Sequence, residues 1–215
     1  MTRVVVDSSR RRPIGSERLN APALALLVSL AACGGQVRYD YDYAKEPDPR
    51  KSEYVIGVAD HLNIRVWKNA DLSTDATVRP DGTITMPLLG DLTADGKTPS
   101  QLKDEVTKQL QRYVRDEGAV VTIAVTGVNS YTFTVSGNVE HPGVFNSTKY
   151  VTVLEAMQLA GGPNRFASPT ETKLFRRTKK NGPARVIPIN YPAVLDGSQP
   201  EANLAILPGD QLYVP

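Results

Sequence analysis

The chain of 215 residues carries 25 lysines and arginines against 23 aspartates and glutamates, a formal charge of +2. Residues 1–32 hold five of the basic and two of the acidic residues, so 20 basic and 21 acidic residues remain from Cys33 onward. This balance excludes a global electrostatic attraction to nucleic acid, and the single cysteine excludes an intramolecular disulfide framework.

An export signal is the first predicted element, over residues 1–32. Arginines precede an apolar run at residues 21–32, which is shorter than the ~20 residues needed to span a bilayer. The run ends at Leu30-Ala31-Ala32-Cys33, which resembles a lipobox, the motif whose thiol accepts a diacylglyceryl group and becomes the mature N-terminus. We therefore predict lipidation at Cys33; an ordinary secretion signal and a buried helix with an incidental cysteine are the alternatives. Gly34 at the next position favours sorting to the outer membrane, by resemblance to known lipoproteins.

A polar segment with two prolines and mixed charge follows, and it predicts a flexible tether over residues 33–52. Within it, Tyr39, Tyr41 and Tyr43 alternate with aspartates, a period of two that suits a strand at the edge of a sheet. Stacking of these tyrosines on carbohydrate is the alternative interpretation.

The first half of the body, residues 53–128, has the pattern of a small mixed unit. Strands are predicted at residues 63–67, 76–78, 83–86 and 119–125. Pro80-Asp81-Gly82 predicts a tight turn before the third strand. Thr98 and Gln101 form a capping box, and apolar residues at every fourth position predict a helix over residues 98–115.

The second half, residues 129–215, repeats this order of elements. Strands are predicted at residues 131–139, 144–145, 173–177, 185–189 and 211–214. Pro142-Gly143 predicts a turn, and Thr152 caps a helix over residues 153–160 that Gly161-Gly162 ends. The fold class is therefore predicted as α+β, with two small β-grasp-like hairpin–helix–strand units in tandem after a lipidated flexible N-terminus. Residues 1–32 are the predicted signal peptide.

A search for catalytic chemistry gives mostly negative results. His61 and His141 are the only histidines, and neither has the spacing of a metal ligand or lies near a nucleophile elbow. No glycine-rich loop opens a helix as a phosphate cradle does. Several aspartates lie in predicted turns, where a structural role is the simplest interpretation: Asp60, Asp81, Asp91, Asp95 and Asp210. The sequence predicts no enzyme activity, no cofactor and no metal site.

Two further features have competing interpretations. Trp67, at the end of a predicted strand, is expected to pack in the core or in an interface, and stacking on a sugar ring is the alternative. Residues 176–182 (RRTKKNG) are predicted to be a solvated hairpin tip, and a contact with an anionic polymer or headgroup is the alternative.

Short blocks in the first half follow a recognisable order. They are the strand that begins at Leu62, the blocks 78–82 (VRPDG) and 87–90 (PLLG), and the helix that Thr98 starts. Through them, residues 54–110 resemble the export domain of bacterial outer-membrane polysaccharide export proteins.

The second half resembles the soluble ligand-binding β-grasp (SLBB) module that follows the export domain in that family. Residues 133–164 match its start, through 139–143 (VEHPG) and Ala160-Gly161-Gly162, and 207–214 (LPGDQLYV) match its closing strand. The resemblance places the following family-motif residues in structural turns: Arg79, Asp81, Gly82, Pro87, Gly90, Pro142, Gly143, Gly161, Gly162, Gly209 and Asp210.

The resemblance implies a lipid-anchored component of a capsule or exopolysaccharide export channel. The implied location is the outer membrane, with the body facing the periplasm. The implied partners are the polysaccharide chain, further copies of the protein in a homo-oligomeric ring and an inner-membrane polysaccharide co-polymerase. A monomeric periplasmic lipoprotein that binds a soluble sugar or peptidoglycan fragment is the main alternative, and a polymer hydrolase is a third.

Departures from the family pattern add expectations. The family usually has Pro-Gly-Asp where this chain reads Val58-Ala59-Asp60, so a looser turn is expected there. Only one SLBB module follows the export domain, and the chain stops at Pro215 without the C-terminal membrane helix of larger relatives. We therefore expect a short form whose ring lies beneath the outer membrane, with a separate β-barrel protein as the pore.

Overall fold

The first half of the chain forms a sheet, a separate hairpin and one helix around its own hydrophobic core. The computed structural model describes residues 39–113, 120–177 and 182–215; the predicted signal and Cys33 lie outside these ranges. The elements of this unit are β1 (His61–Val66), β2 (Thr74–Thr77), β3 (Thr83–Met86), β4 (Gly90–Thr93), α1 (Pro99–Leu110) and β5 (Val121–Gly127). Strand β1 is central and pairs antiparallel with β2 and with β5, while β3 and β4 pair with each other.

Helix α1 begins as the sequence predicts and ends earlier. The Thr98 hydroxyl accepts the amide of Gln101, and the Gln101 side chain accepts the Thr98 amide, so the predicted capping box is confirmed. Leu102, Val106 and Leu110 are buried against the sheet. The helix ends at Leu110 rather than at residue 115, because the chain turns through residues 111–113 once the apolar face has been buried.

The second half forms a five-stranded mixed sheet. Its elements are β6 (Thr132–Gly137), β7 (Gly143–Asn146), α2 (Val153–Leu159), β8 (Thr172–Arg177), β9 (Ala184–Ile189), α3 (Tyr191–Leu195) and β10 (Gln211–Val214). The strand order is β7-β6-β10-β8-β9, with β10 parallel to β6 and antiparallel to β8. The predicted α+β class is confirmed. The two units differ in their last strand: β10 runs parallel to β6, whereas β5 runs antiparallel to β1.

Residues 39–46, in the middle of the predicted tether, are not a free linker. This N-terminal strap crosses the second unit, with a 3-10 turn at Tyr43–Lys45 in place of the predicted edge strand. The Tyr39 hydroxyl donates to the Thr170 carbonyl at 2.9 Å, and the Tyr43 hydroxyl donates to the Pro188 carbonyl at 2.7 Å. Tyr43 is 4% exposed, and burial raises its pKa to about 12. The alternating tyrosines therefore serve packing, because three hydroxyl-bearing rings fill the surface beside β8 and β9.

The turn at Val58-Ala59-Asp60 is tight rather than loose. Ala59 adopts φ +73°, the conformation that a glycine takes without strain. Its amide donates to the Val78 carbonyl at 2.9 Å, and the Asp60 amide donates to the Gly57 carbonyl at 3.3 Å. The alanine accepts the left-handed backbone because the hydrogen bonds on either side hold it there.

We expect Ala59→Gly to raise the free energy of unfolding. The left-handed conformation costs an L-residue roughly 1–2 kcal/mol, and glycine removes this cost. The greater entropy of the unfolded chain with glycine offsets part of the gain, so the free energy of unfolding should rise by about 1 kcal/mol. Urea unfolding measures it. Ala44→Gly is the matched control, because Ala44 is exposed and lacks a positive φ, and a loss of about 0.5 kcal/mol is expected there. A lower stability of Ala59→Gly would contradict the assignment of strain.

Candidate functional site

The β3–β4 hairpin carries the largest group of interacting family-motif residues. The Arg79 guanidinium lies 3.1 Å from an Asp81 oxygen and 2.9 Å from an Asp91 oxygen. The hydroxyl and amide of Thr83, together with Arg79, lower the pKa of Asp81 to about 2. Gly82 takes φ +81°, and a Cβ there would come within 2.8 Å of the Asp95 Cβ. These side chains fix the shape of the hairpin, and Arg79, Asp81 and Asp91 remain substantially exposed.

The tip of this hairpin presents an apolar side chain to solvent. Pro87 leads into Leu88, which has φ +67° and is 54% exposed, and Gly90 follows with φ +73°. Leucine rarely adopts this backbone conformation, because its Cβ crowds the neighbouring carbonyl. The turn therefore holds Leu88 outward at a defined position.

Asp60 joins the two units. One carboxylate oxygen accepts the amides of Asn129 and Ser130, both at 2.8 Å. The other accepts the Tyr54 hydroxyl at 2.5 Å, the Gly57 amide at 2.9 Å and the Ser130 hydroxyl at 3.0 Å. Asp60 is fully buried; burial by itself raises the pKa of this carboxyl, but the hydrogen bonds from Tyr54 and the three amides outweigh it and hold the pKa below its ordinary value. We name this arrangement the Asp60 junction.

The remaining family-motif residues lie in two other places, so the fold does not collect them into one site. Gly161 and Gly162 follow α2 with φ +79° and +86°, beside the turn at Pro142-Gly143 that leads into β7. A Cβ on Gly161 would come within 2.9 Å of the Glu140 Cβ. Gly209, with φ +78°, and Asp210 precede β10.

A buried ionic cluster occupies the second unit where the sequence predicts a solvated hairpin tip. Arg176 is fully buried on β8, and its guanidinium lies 2.7 Å from an Asp210 oxygen and 3.1 Å from a Glu46 oxygen. It also donates to the Ala205 carbonyl at 2.7 Å, and Arg185 contacts the other side of Glu46. The predicted exposure of Arg176 is wrong because the carboxylates that neutralise it lie 130 and 34 residues away in sequence; residues 178–181 lie outside the described ranges.

Burial and ion pairing shift the pKa of the Asp210 carboxyl in opposite directions. Burial raises the pKa of the Asp210 carboxyl above its ordinary value, and the Arg176 guanidinium opposes that rise without cancelling it. The Leu207 amide donates to the same carboxylate at 2.8 Å. Glu46 belongs to the N-terminal strap, so the cluster fastens the strap to the sheet.

Comparison with known proteins assigns both units. A family model described as polysaccharide biosynthesis/export protein matches residues 48–126, and a model of the SLBB domain matches residues 132–188. The chain carries the export domain and the SLBB domain of polysaccharide export proteins. The resemblance expected from the sequence is thereby confirmed.

Curated relatives agree with this assignment. The chain is 34% identical over 175 residues to the exopolysaccharide production protein ExoF of Rhizobium meliloti (strain 1021), a match that covers 74% of this chain and 38% of that protein. It is 26% identical over 189 residues to the EPS I polysaccharide export outer membrane protein EpsA of Ralstonia nicotianae, covering 77% of this chain and 48% of the relative. The chain therefore spans less than half the length of these curated relatives.

Trp67 lies on the surface of the export domain, so the expectation that it packs in the core is wrong. The indole is 65% exposed, and the Trp67 amide donates to the Val120 carbonyl at 2.9 Å. Beside it is an open groove of about 600 Å³, lined mainly by apolar atoms of residues that include Val66, Ala70 and Val120. The backbone turns outward here because Lys68 has φ +60°. An interface role and sugar stacking both remain predictions for Trp67.

The described residues contain no cluster of three or more His, Cys, Asp or Glu side chains arranged to hold a metal ion. His61 lies at the exposed start of β1, where its Nδ1 is 2.8 Å from the Thr77 hydroxyl, and His141 is exposed beside the Pro142 turn. Within the same ranges, no helix has the length and apolar character to cross a bilayer.

Proposed function

We propose that this chain is a lipid-anchored outer-membrane component of a capsule or exopolysaccharide exporter. The observation that carries the proposal is the order of an export domain and an SLBB domain, together with 34% identity to ExoF. EpsA, a second relative, is named as an outer membrane export protein. In this proposal the chain has no catalytic role, and its function is to surround and guide a polysaccharide.

The proposed assembly is a homo-oligomeric ring with the body in the periplasm and an inner-membrane polysaccharide co-polymerase as its partner. Exposed apolar side chains at separated positions support contacts between copies, because a ring requires two different complementary surfaces on each subunit. Leu88 at the hairpin tip and Trp67 beside its groove are such positions, at 54% and 65% exposure. The Asp60 junction supports the proposal as well, since its hydrogen bonds from Asn129 and Ser130 connect the export domain to the start of the SLBB domain.

The proposal is tested in a strain that lacks the gene. We expect loss of surface or secreted polysaccharide, restoration by the wild-type gene, and failure of Cys33→Ala to restore it, because the unacylated protein would not be retained at the membrane. Secreted polymer is measured by its sugar content. Normal polysaccharide in the deletion strain would contradict the proposal.

Oligomeric state separates the proposal from its alternative. Electron microscopy and light scattering of the acylated protein in mild detergent should detect rings. A strict monomer in detergent and in lipid, with measurable affinity for oligosaccharides, would instead favour a periplasmic lipoprotein that captures a soluble sugar or a peptidoglycan fragment.

A further inference from the structure

The N-terminal strap determines where the chain leaves the folded body. Tyr39 is held at the start of β8, because its hydroxyl donates to the Thr170 carbonyl and its own carbonyl accepts the Gln199 side-chain amide at 3.4 Å. Glu46, at the other end of the strap, contacts Arg176 near the end of β8. The strap therefore runs alongside β8, and the chain exits at the β8 start.

That exit lies at the end of the SLBB sheet far from the Asp60 junction. Ser130 and Tyr131 enter β6 from the junction, and β10 runs parallel to β6, with Val214 opposite Gly137 at the far end. Strand β8 is antiparallel to β10, so its start near Lys173 lies beside Tyr213 at that same far end. Six residues of β6 separate the junction from this end, about 20 Å at the rise of a strand.

A loop at the same end exposes an aromatic side chain beside a cation. Phe166 is 68% exposed, and the Arg165 guanidinium carbon lies 4.6 Å from the centre of its ring. The loop, residues 163–170, is held firmly: the Phe166 amide donates to the Asn164 side chain at 2.9 Å, and the Ser168 amide donates to the Pro215 carbonyl at 2.6 Å. The backbone therefore presents Phe166 outward from the end of the sheet.

Chain length connects this loop to the membrane, on the proposed function's premise that Cys33 is acylated. Five residues separate Cys33 from Tyr39, and the six steps from one to the other span at most about 20 Å in a fully extended chain. A single exposed phenylalanine is ordinary on a protein surface. Here, however, the exposed ring and the exit of the chain toward the anchor lie at one end of one sheet.

We propose that the loop 163–170 is a lipid-contacting surface, with Phe166 at the boundary between headgroups and acyl chains and Arg165 among the headgroups. Aromatic rings and the long stems of arginine both suit this boundary, since an apolar body is buried while a polar or charged end stays solvated. The acyl chains hold the protein, and this loop orients it, so that the SLBB domain faces the bilayer and the export domain projects away from it.

Tryptophan quenching by brominated lipids tests this orientation, because Trp67 is the only tryptophan and lies in the export domain. The acylated full chain is reconstituted in phosphatidylethanolamine–phosphatidylglycerol vesicles, with acylation verified by mass. In the variant Trp67→Phe/Phe166→Trp we expect a roughly twofold loss of emission with brominated lipid, since an interfacial side chain lies about 5–10 Å into the headgroup boundary. The unaltered chain, reporting from Trp67, is the matched control and should show little quenching.

Each outcome separates this inference from the function on which it rests. The acylated chain could bind vesicles and yet show no quenching at residue 166, or equal quenching at residues 67 and 166. Either result overturns the oriented surface and leaves the anchor intact. A chain without acylation overturns the anchor instead. A blue shift at residue 166 that grows with protein concentration in detergent, without lipid, assigns the loop to contact between copies and also overturns the lipid surface.

Discussion

Arg176→Met is expected to lower the free energy of unfolding by about 3–5 kcal/mol, because it leaves the carboxylates of Glu46 and Asp210 buried without their shared cation. Both side chains are at most 2% exposed, so water does not replace the guanidinium. Urea unfolding at neutral pH measures the loss. The deficit should shrink as the pH falls, since burial already favours the protonated form of Asp210 and protonation removes the unpaired charge.

Two comparisons identify the cause of that loss. Arg177→Met alters the next residue of β8, which is exposed, and should change stability by no more than about 0.5 kcal/mol. The triple variant Glu46→Gln/Arg176→Met/Asp210→Asn removes every buried charge of the cluster and should recover a large part of the deficit. Equal losses in the single and triple variants would mean that packing of the arginine stem, rather than its charge, stabilises the sheet.

Asp60→Asn is expected to lower the free energy of unfolding by about 2–3 kcal/mol at neutral pH. The asparagine side chain keeps only one acceptor oxygen for the amide and hydroxyl donors that converge on the carboxylate. We also expect faster proteolytic cleavage near residues 126–130, since Asn129 and Ser130 lose the group that holds them against the export domain. Urea unfolding and limited proteolysis measure the two effects.

The pH dependence of this prediction follows from the depressed pKa of Asp60. A carboxyl whose folded pKa lies below its unfolded value stabilises the protein above the unfolded value, and that contribution disappears as the pH falls through the folded pKa. The difference in free energy of unfolding between the wild type and Asp60→Asn should therefore become smaller on acidification below about pH 4. Asp104→Asn, on the exposed face of α1, should change stability by no more than about 0.5 kcal/mol at either pH. A difference that stays constant with pH would contradict the role of the Asp60 charge.

Elements with short-range signals were predictable. The capping boxes at Thr98 and Thr152 place the starts of α1 and α2 correctly, because the donor and acceptor lie three residues apart. The Pro80-Asp81-Gly82 turn before β3 is also observed, with Gly82 at positive φ. Strand β4 and helix α3 were missed; the side chain of Asn190 accepts the Ala193 amide and Pro192 occupies the first turn of α3, a signal that was available in the sequence.

Surface and core were harder to separate for single side chains. The sequence predicts that Trp67 packs in the core or in an interface, and its exposure contradicts the core alternative; the sequence also predicts exposure of Arg176, which is fully buried. Hydrophobicity alone misleads in both cases, because an arginine is buried where carboxylates from other segments neutralise it and a tryptophan is exposed where the backbone turns it outward.

The sequence by itself determined the α+β class, the order of the export and SLBB domains, and the turns and helix starts, because each depends on residues near one another in the chain. Only the tertiary structure decided that the N-terminal strap packs on the SLBB sheet and that Glu46, Arg176 and Asp210 share one buried cluster. The same holds for the contact of Asp60 with Ser130, seventy residues away. These features depend on charges and hydrogen-bond donors that meet only after folding, so no local pattern of residues indicates them.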